Sequence, residues 1–432
     1  MENLIAHSEQ KEFHRFVKEV NEAILGSFQE VTGRREDKEE FLKNIIRDEI
    51  RKKQPALTSL SGDALVDRLY MEAVGFSFLS YFLEDKDVEE ITVNGYDDVK
   101  ITYSDGKKVP AGETFASAKH CRDIIQKLLR HSNMILDEMT PIVRGHLSDK
   151  VRITAYSYPV VDERAGASAS IRIVNPKNFT RGDFIANGTC TGEMLDLLSA
   201  LFAGGISMVS VGATGSGKTT LMSYLLSSLP IEQRVVTIEN QVREFNLVKH
   251  DEDGRVINDV VHLITKEFLN YPERNVSQEK LLEYALTSNP DVICIGECKS
   301  EEAFTGQEAA RTGHTVITTV HANDCVSAYD RLTTLCRMAY DYDEKFIKSM
   351  VEQAFPVVFY TRKDLKTNER KITEIMECVT SETEFEKRYR TLYVYKKTEG
   401  GGEFKKVNEL SEGLKKRLLA NGMSEKELKG IL

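Results

Sequence analysis

The sequence predicts two architectures in one chain: an α+β unit over roughly the first 175 residues and, beyond it, an α/β domain built on a parallel sheet. Three observations carry this. Five apolar, β-branched runs, Met208 to Val211, Val235 to Ile238, Val292 to Ile295, Val316 to Val320 and Val357 to Tyr360, alternate with stretches of helical periodicity. Strands covered by helices on both faces read this way. Residues 91 to 173 instead hold short segments that alternate every second residue, as half-buried strands do. Between the first apolar run and a helical stretch starting at Leu221 stands a glycine-rich turn, Gly212 to Thr219.

Taken in order, residues 33 to 53 mix charges of both signs with Phe41, Leu42, Ile45, Ile46 and Ile50 at helical spacing, predicting a solvated amphipathic helix. A second helical stretch from about Ala64 to Leu83 stops at Glu84-Asp85-Lys86-Asp87. Ile91 to Val93 leads into an Asn94-Gly95 turn, and Val99 to Tyr103 into Ser104-Asp105-Gly106, a hairpin pattern. Residues 119 to 135 return to helical spacing, after which Val151 to Tyr156 and Ser168 to Ile173 alternate again. Asn175-Pro176 and the polar stretch to Asn187-Gly188 read as a linker. After Ile375 the chain is strongly charged, with a Gly400-Gly401-Gly402 hinge and two short helical segments, Leu410 to Ala420 and Ser424 to Leu432. The expected division is a helical extension at 1–60, an α+β domain at 61–175, a linker at 176–190, the α/β domain at 191–375 and a carboxy-terminal appendage at 376–432.

Composition narrows the class. The 432 residues suffice for two or three cores, and no run of about 18 apolar residues offers a membrane span. The first 20 residues lack the apolar stretch of a signal peptide, so a cytoplasmic location is expected. Seven scattered cysteines make no disulfide framework; Cys294 and Cys298 lack a second pair at zinc-finger spacing and are expected to be buried thiols. A formal net charge of -10 argues against a large phosphate-binding face for nucleic acid.

Gly212-Ala213-Thr214-Gly215-Ser216-Gly217-Lys218-Thr219, followed by Thr220, is a P-loop set between strand and helix. Gly212 and Gly217 lack a β-carbon, so the backbone can curl and turn N–H groups inward, and the next helix adds its positive end. Lys218 can reach the β- and γ-phosphates of ATP, and the Thr219 hydroxyl is placed for Mg²⁺. Hydrolysis also needs groups that aim water and offset charge. Glu239 closes the strand that starts at Val235, where a carboxylate can orient water. Glu297, just past the strand ending at Ile295, is the better candidate for contacting Mg²⁺ through water or acting as base. His314 and His321 flank a third strand, each within reach of the nucleotide or of a neighbouring subunit.

Together the P-loop, Thr237-Ile238-Glu239-Asn240, Asn289-Pro290-Asp291 through Gly296-Glu297, and Thr312-Gly313-His314 to His321-Ala322-Asn323 resemble the Walker A, Asp-box, Walker B and His-box of the type II/IV secretion ATPases. The nearest-looking branch is that of Tad/Flp pilus-assembly and conjugation-type ATPases. The resemblance is specific from about Gly205 to Asp324 and weaker at Val88 to Gly95 and Ala169 to Arg172. It implies a P-loop NTPase motor domain of RecA-like fold, joined to the α+β domain. It further implies a homo-hexamer at the inner face of the cell membrane that couples ATP turnover to pilus assembly or export through an inner-membrane platform protein. In such rings arginines of the amino-terminal domain reach bound nucleotide, and the matching positions are Arg172 and, less closely, Arg152.

The chain departs from that pattern at four places, one of them an extra residue between Glu239 and Glu244. Asn240 stands where Asp is usual, Cys298-Lys299 where an Arg is common, and the segment Lys249 to Ser277 is long, its Asp251-Glu252-Asp253-Gly254 start suggesting an exposed loop. Asn240 and Lys299 motivate a second reading, a nucleotide-dependent assembly platform with little hydrolysis. A third, a DNA translocase, is disfavoured by the net charge.

Overall fold

The computed structural model describes residues 5–27, 38–148, 150–174, 179–267, 272–364, 366–379, 388–398 and 401–432. The chain divides into two compact units, Met1–Asn175 and Pro176–Leu432.

In the first unit, helices α1 (Gln10–Gly26), α2 (Lys38–Lys53) and α3 (Asp63–Ala73) bury Phe13, Phe16, Ile46, Leu65 and Leu69 in one small core. Residues 33 to 37 of the helix expected at 33–53 lie outside the described residues. Helix α4 (Leu79–Glu84) leads into a six-stranded sheet made of β1 (Val88–Gly95), β2 (Asp98–Tyr103), β3 (Lys108–Pro110), β4 (Ile142–His146), β5 (Val151–Ser157) and β6 (Ala167–Ile173), ordered β3-β2-β1-β6-β5-β4. Every pairing is antiparallel. Helix α5 (Ala118–Arg130) is capped by the Ser117 side chain and lays Cys121, Ile125 and Leu129 against Ile91, Ile153 and Ile171. The other face of the sheet carries Arg172, which is exposed and stands opposite both Arg152 and Glu90 in register. A fully buried Arg68 is held at 2.6 Å by Glu72 and at 2.7 Å by Glu113, satisfying a charge that would be costly unpaired.

The second unit opens with α6 (Arg181–Ala186), a short helix inside the expected linker, started by a reciprocal cap between Thr180 and Asp183. Then follow α7 (Gly192–Ala203), β7 (Met208–Val211), α8 (Lys218–Ser227), β8 (Val235–Glu239), β9 (Val260–Ile264), α9 (Gln278–Leu286), β10 (Val292–Ile295), α10 (Glu302–Arg311), β11 (Thr315–Val320), α11 (Cys325–Ala339), α12 (Glu344–Ala354) and β12 (Val357–Lys363). Strands β13 (Arg370–Val379), β14 (Arg388–Thr398) and β15 (Gly401–Lys406) and helices α13 (Glu412–Ala420) and α14 (Glu425–Ile431) complete it. The nine strands run β15-β14-β13-β12-β7-β11-β10-β8-β9. The six from β12 to β9 are parallel, and the last three pair antiparallel. Strands β7, β8, β10 and β11 are buried at every residue, which is why they read as unbroken apolar runs. Leu198, Leu221, Leu225 and Leu418 cover one face. Leu282, Ala309, Leu332 and Ile347 cover the other, each fully buried aliphatic side chain stabilising by about 1.5–3 kcal/mol. This is the expected α/β layout, with the P-loop at the end of a central strand.

Two stretches differ from their sequence reading. The segment at 376–432, expected as an appendage, continues the main sheet through β13 to β15 and plants Leu410, Leu414, Leu418 and Leu428 in the core beside α7 and α8. Gly401 and Gly402 pair with Thr398 and Lys397 rather than forming a hinge, and Gly400 lies outside the described residues. The segment at 249–277 starts as an exposed turn but then adds β9 as a parallel edge strand on β8, anchored by Arg234 and Asp259 at 2.8 Å. All seven cysteines are free and buried. Among the described residues no helix is long and apolar enough to cross a membrane.

Candidate nucleotide site

Strand β7 delivers the loop between its two parallel neighbours, β12 and β11. Gly212, Gly215 and Gly217 adopt φ of +149°, +73° and +97°, which only glycine takes without strain. Space matters as well at Gly212, where a Cβ would stand 2.2 Å from the Thr361 carbonyl oxygen. The Thr361 hydroxyl of β12 lies 3.1 Å from the Val211 carbonyl and 3.0 Å from Ser216 Oγ. Arg370, at the start of β13, donates from Nε to the Gly215 carbonyl at 2.9 Å and lays its stem beside Gly217. The crest, Ala213, Thr214 and Gly215, is exposed, while Ser216 and Lys218 are buried. Thr219 and Thr220 open α8 half-buried, with their backbone N–H groups at the helix's positive end.

Lys218 folds back to donate to the Gly212 and Ala213 carbonyls at 2.7 and 2.9 Å. Burial pushes its ammonium down to about 8, against the charges of Glu297 and Glu244, which hold it up. Glu297 is placed by its backbone: Gly296 N–H donates to Ile238 O at 2.9 Å and Thr319 Oγ1 to Gly296 O at 2.8 Å. Its carboxylate meets His321 Nε2 at 3.1 Å and Lys299 Nζ at 3.0 Å. His321 Nδ1 faces Gly212 O at 2.9 Å. Lys218, Glu297 and His321 thus converge from the ends of β7, β10 and β11.

Glu239 is almost wholly buried, and its carboxylate accepts from Thr237 Oγ1 at 2.7 Å, from His262 Nδ1 at 3.1 Å and from the backbone N–H groups of Glu244 and Phe245. It braces the turn after β8. The acid that this turn carries to the loop is Glu244, whose Oε2 lies 3.5 Å from Thr219 Oγ1. Asn240 Oδ1 accepts from Thr265 at 3.0 Å, tying the same turn to the end of β9. His314 is not brought to the loop. It precedes β11 and donates to the Pro290 carbonyl at 3.0 Å, one strand length, about 20 Å, from His321. Arg152 and Arg172 lie in the first unit.

The residues fit a magnesium nucleotide. Gly215 leaves open space where a side chain would stand, a buried lysine sits under the loop, and the nearby donors are the hydroxyl of Thr219 and the carboxylates of Glu244 and Glu297, hard oxygens of the kind Mg²⁺ takes. Among the described residues no cluster of three or more His, Cys, Asp or Glu could cage a metal, and Mg²⁺ in such sites leans on substrate phosphates and water instead.

Of these residues, Glu244, Thr361, Arg370 and His262 escaped the sequence reading as site groups. Glu244 had a signal, a second acid shortly after Glu239. The others meet the site across 145 residues for Thr361, 155 for Arg370 and 23 for His262, beyond any local pattern.

Residues 72–396 match the family model described as type II/IV secretion system protein. An uncharacterized protein of Methanocaldococcus jannaschii is 27% identical over 263 residues, covering 58% of this chain and 34% of that one, so the chain spans about a third of that relative. A putative conjugal transfer protein of Mycobacterium tuberculosis is 25% identical over 299 residues, 66% of this chain and 81% of that one. The crystal structure of the Legionella pneumophila ATPase DotB aligns with a TM-score of 0.46 at 19% identity, covering 71% of this chain and 80% of that one. With three quarters of its length inside the family model and the loop, acids and histidine in place, the chain belongs to the type II/IV secretion system protein family.

Proposed function

We propose that this chain hydrolyses ATP to ADP and phosphate and that, as a homo-hexamer on the inner face of the cell membrane, it spends that turnover on pilus assembly or type II/IV secretion through an inner-membrane platform protein. The observation that carries the catalytic part is the convergence of Glu297 and His321 on the loop that holds Lys218. The backbone N–H groups of the loop and α8 grip the phosphates, and Lys218 turns from the Gly212 and Ala213 carbonyls toward the β- and γ-oxygens. Thr219 and Glu244, with Glu297 through water, are the residues that would hold Mg²⁺, which would offset the negative charge of the phosphates. Glu297 orients and deprotonates the attacking water, steadied by His321, and Glu239 keeps Glu244 in place. Arg172 and Arg152, brought by a neighbouring copy, would supply the remaining positive charge. Location on the cytoplasmic side rests on the family and on the lack of a spanning helix among the described residues.

Phosphate release from the purified chain tests this, with Lys218→Ala and Glu297→Gln as controls. Turnover of the parent no higher than theirs would sink the catalytic reading, and light scattering that finds a monomer with and without ATP would sink the ring. One observation favours the slow assembly-platform reading: Lys299 holds the Glu297 carboxylate at 3.0 Å, so a gain in turnover on Lys299→Ala would support it. Stimulation by DNA would instead favour a translocase.

A further inference from the structure

His262 and Thr265 of the 249–277 segment both reach the turn after β8, and His262 touches the Glu239 carboxylate itself. Register sets His262 of β9 opposite Thr237 of β8, and alternation along β8 puts Glu239 on the same face as Thr237. His262 Nδ1 lies 2.8 Å from Thr237 Oγ1 and 3.1 Å from Glu239 Oε1. Thr237 gives its proton to Glu239 Oε1 at 2.7 Å, and the carboxylate has none to give, so the proton on this side of the ring belongs to Nδ1. The opposite nitrogen, Nε2, is buried without a hydrogen-bond partner. An aliphatic residue would fill the space without that desolvation cost, so packing alone does not account for the imidazole.

Glu239 passes the constraint on. Its Oε1 is held by His262 and Thr237, which leaves Oε2 aimed at the N–H groups of Glu244 and Phe245, the latter at 3.0 Å. Those two N–H groups fix the backbone from which Glu244 extends to 3.5 Å from Thr219 Oγ1. We propose that His262 is a positioning residue for the divalent cation: through Glu239 it sets where the Glu244 carboxylate stands beside Thr219, and so couples the strand of the 249–277 segment to metal-dependent nucleotide binding. The inference rests on the nucleotide site proposed above but not on turnover. Groups that orient a metal-holding acid from behind typically change metal affinity by about 10- to 100-fold when removed.

The test is a Mg²⁺ titration of the purified full chain at fixed concentration of a fluorescent ATP analogue, with affinity in EDTA as baseline and thermal midpoints recorded alongside. His262→Asn offers an amide N–H where Nδ1 stands, His262→Gln places it where Nε2 stands, and His262→Leu offers none. The expected result is a rise of about tenfold in the Mg²⁺ half-saturation for His262→Leu and His262→Gln, recovery to within about threefold for His262→Asn, and unchanged affinity in EDTA. Should His262→Leu fail to fold, the Asn and Gln pair carries the comparison. Gln responding like the parent, or Asn losing as much as Gln, overturns the proposal, as does a parent that shows no Mg²⁺ response. A parent that responds to Mg²⁺ but releases no phosphate sinks the catalytic reading alone.

Discussion

His321 Nε2 lies 3.1 Å from Glu297 Oε1 while Nδ1 of the same ring faces the Gly212 carbonyl at 2.9 Å. The same Nδ1 also lies 3.4 Å from Lys218 Nζ. The ring ties the acid at the end of β10 to the first residue of the loop. His321→Ala should lower kcat about 10- to 100-fold with the KM for ATP within about threefold, since the contact serves the reacting water rather than ground-state binding. Steady-state phosphate release decides it, and an unchanged kcat would remove His321 from the machinery.

Lys218 gives the site a pH dependence. Its ammonium is pushed down to about 8 by burial, and contact with phosphate favours the charged form, so the bound lysine titrates higher than the free one. Nucleotide affinity should therefore be flat below about pH 8 and fall above it, at up to tenfold per pH unit. Dissociation constants measured across that range for the parent and for Lys218→Met check this, the variant being weak and flat.

The glycines of the loop are not equivalent. Gly215→Ala meets nothing within 4 Å and faces only a φ of +73°, a cost of about 1–2 kcal/mol. Gly212→Ala must also move the Thr361 carbonyl, 2.2 Å from the new atom, and so part β7 from β12. The calorimetric midpoint should fall further for Gly212→Ala, and equal midpoints would contradict this packing.

Leu418 of α13 is fully buried against Gly204, where a Cβ would lie 2.6 Å from its Cδ2. Leu418→Ala should destabilise the second unit by about 2–5 kcal/mol, seen as an earlier urea transition and weaker nucleotide binding at 37 °C. If the last helices were a detachable appendage, neither would change.

These outcomes separate what the sequence displays from what it hides. The parallel strands were legible because each of β7, β8, β10 and β11 is buried on both faces and so carries an apolar residue at nearly every position. Strands β13 to β15 were not, because Lys371, Glu374 and Glu403 interrupt the apolar residues, as an antiparallel sheet with a solvated face allows. Lys218 and Glu297 were legible as motif residues at strand ends. His314 looked equal to His321 in sequence, yet one strand separates them and only the carboxyl edge meets the loop. His262 and Arg370 carried no signal, since register between strands, not spacing along the chain, puts them where they stand.

The sheet order also dictates when the protein becomes competent during its own synthesis. Strand β7 pairs through Met208 with Val357 of β12, and Leu428 joins the core that covers it. At ordinary rates of about 5–20 residues per second, the ribosome takes on the order of ten seconds or more to add that last part after the loop is made. A nascent chain halted before Val357 therefore carries the complete phosphate-binding motif but lacks one of the two strands between which the loop is held.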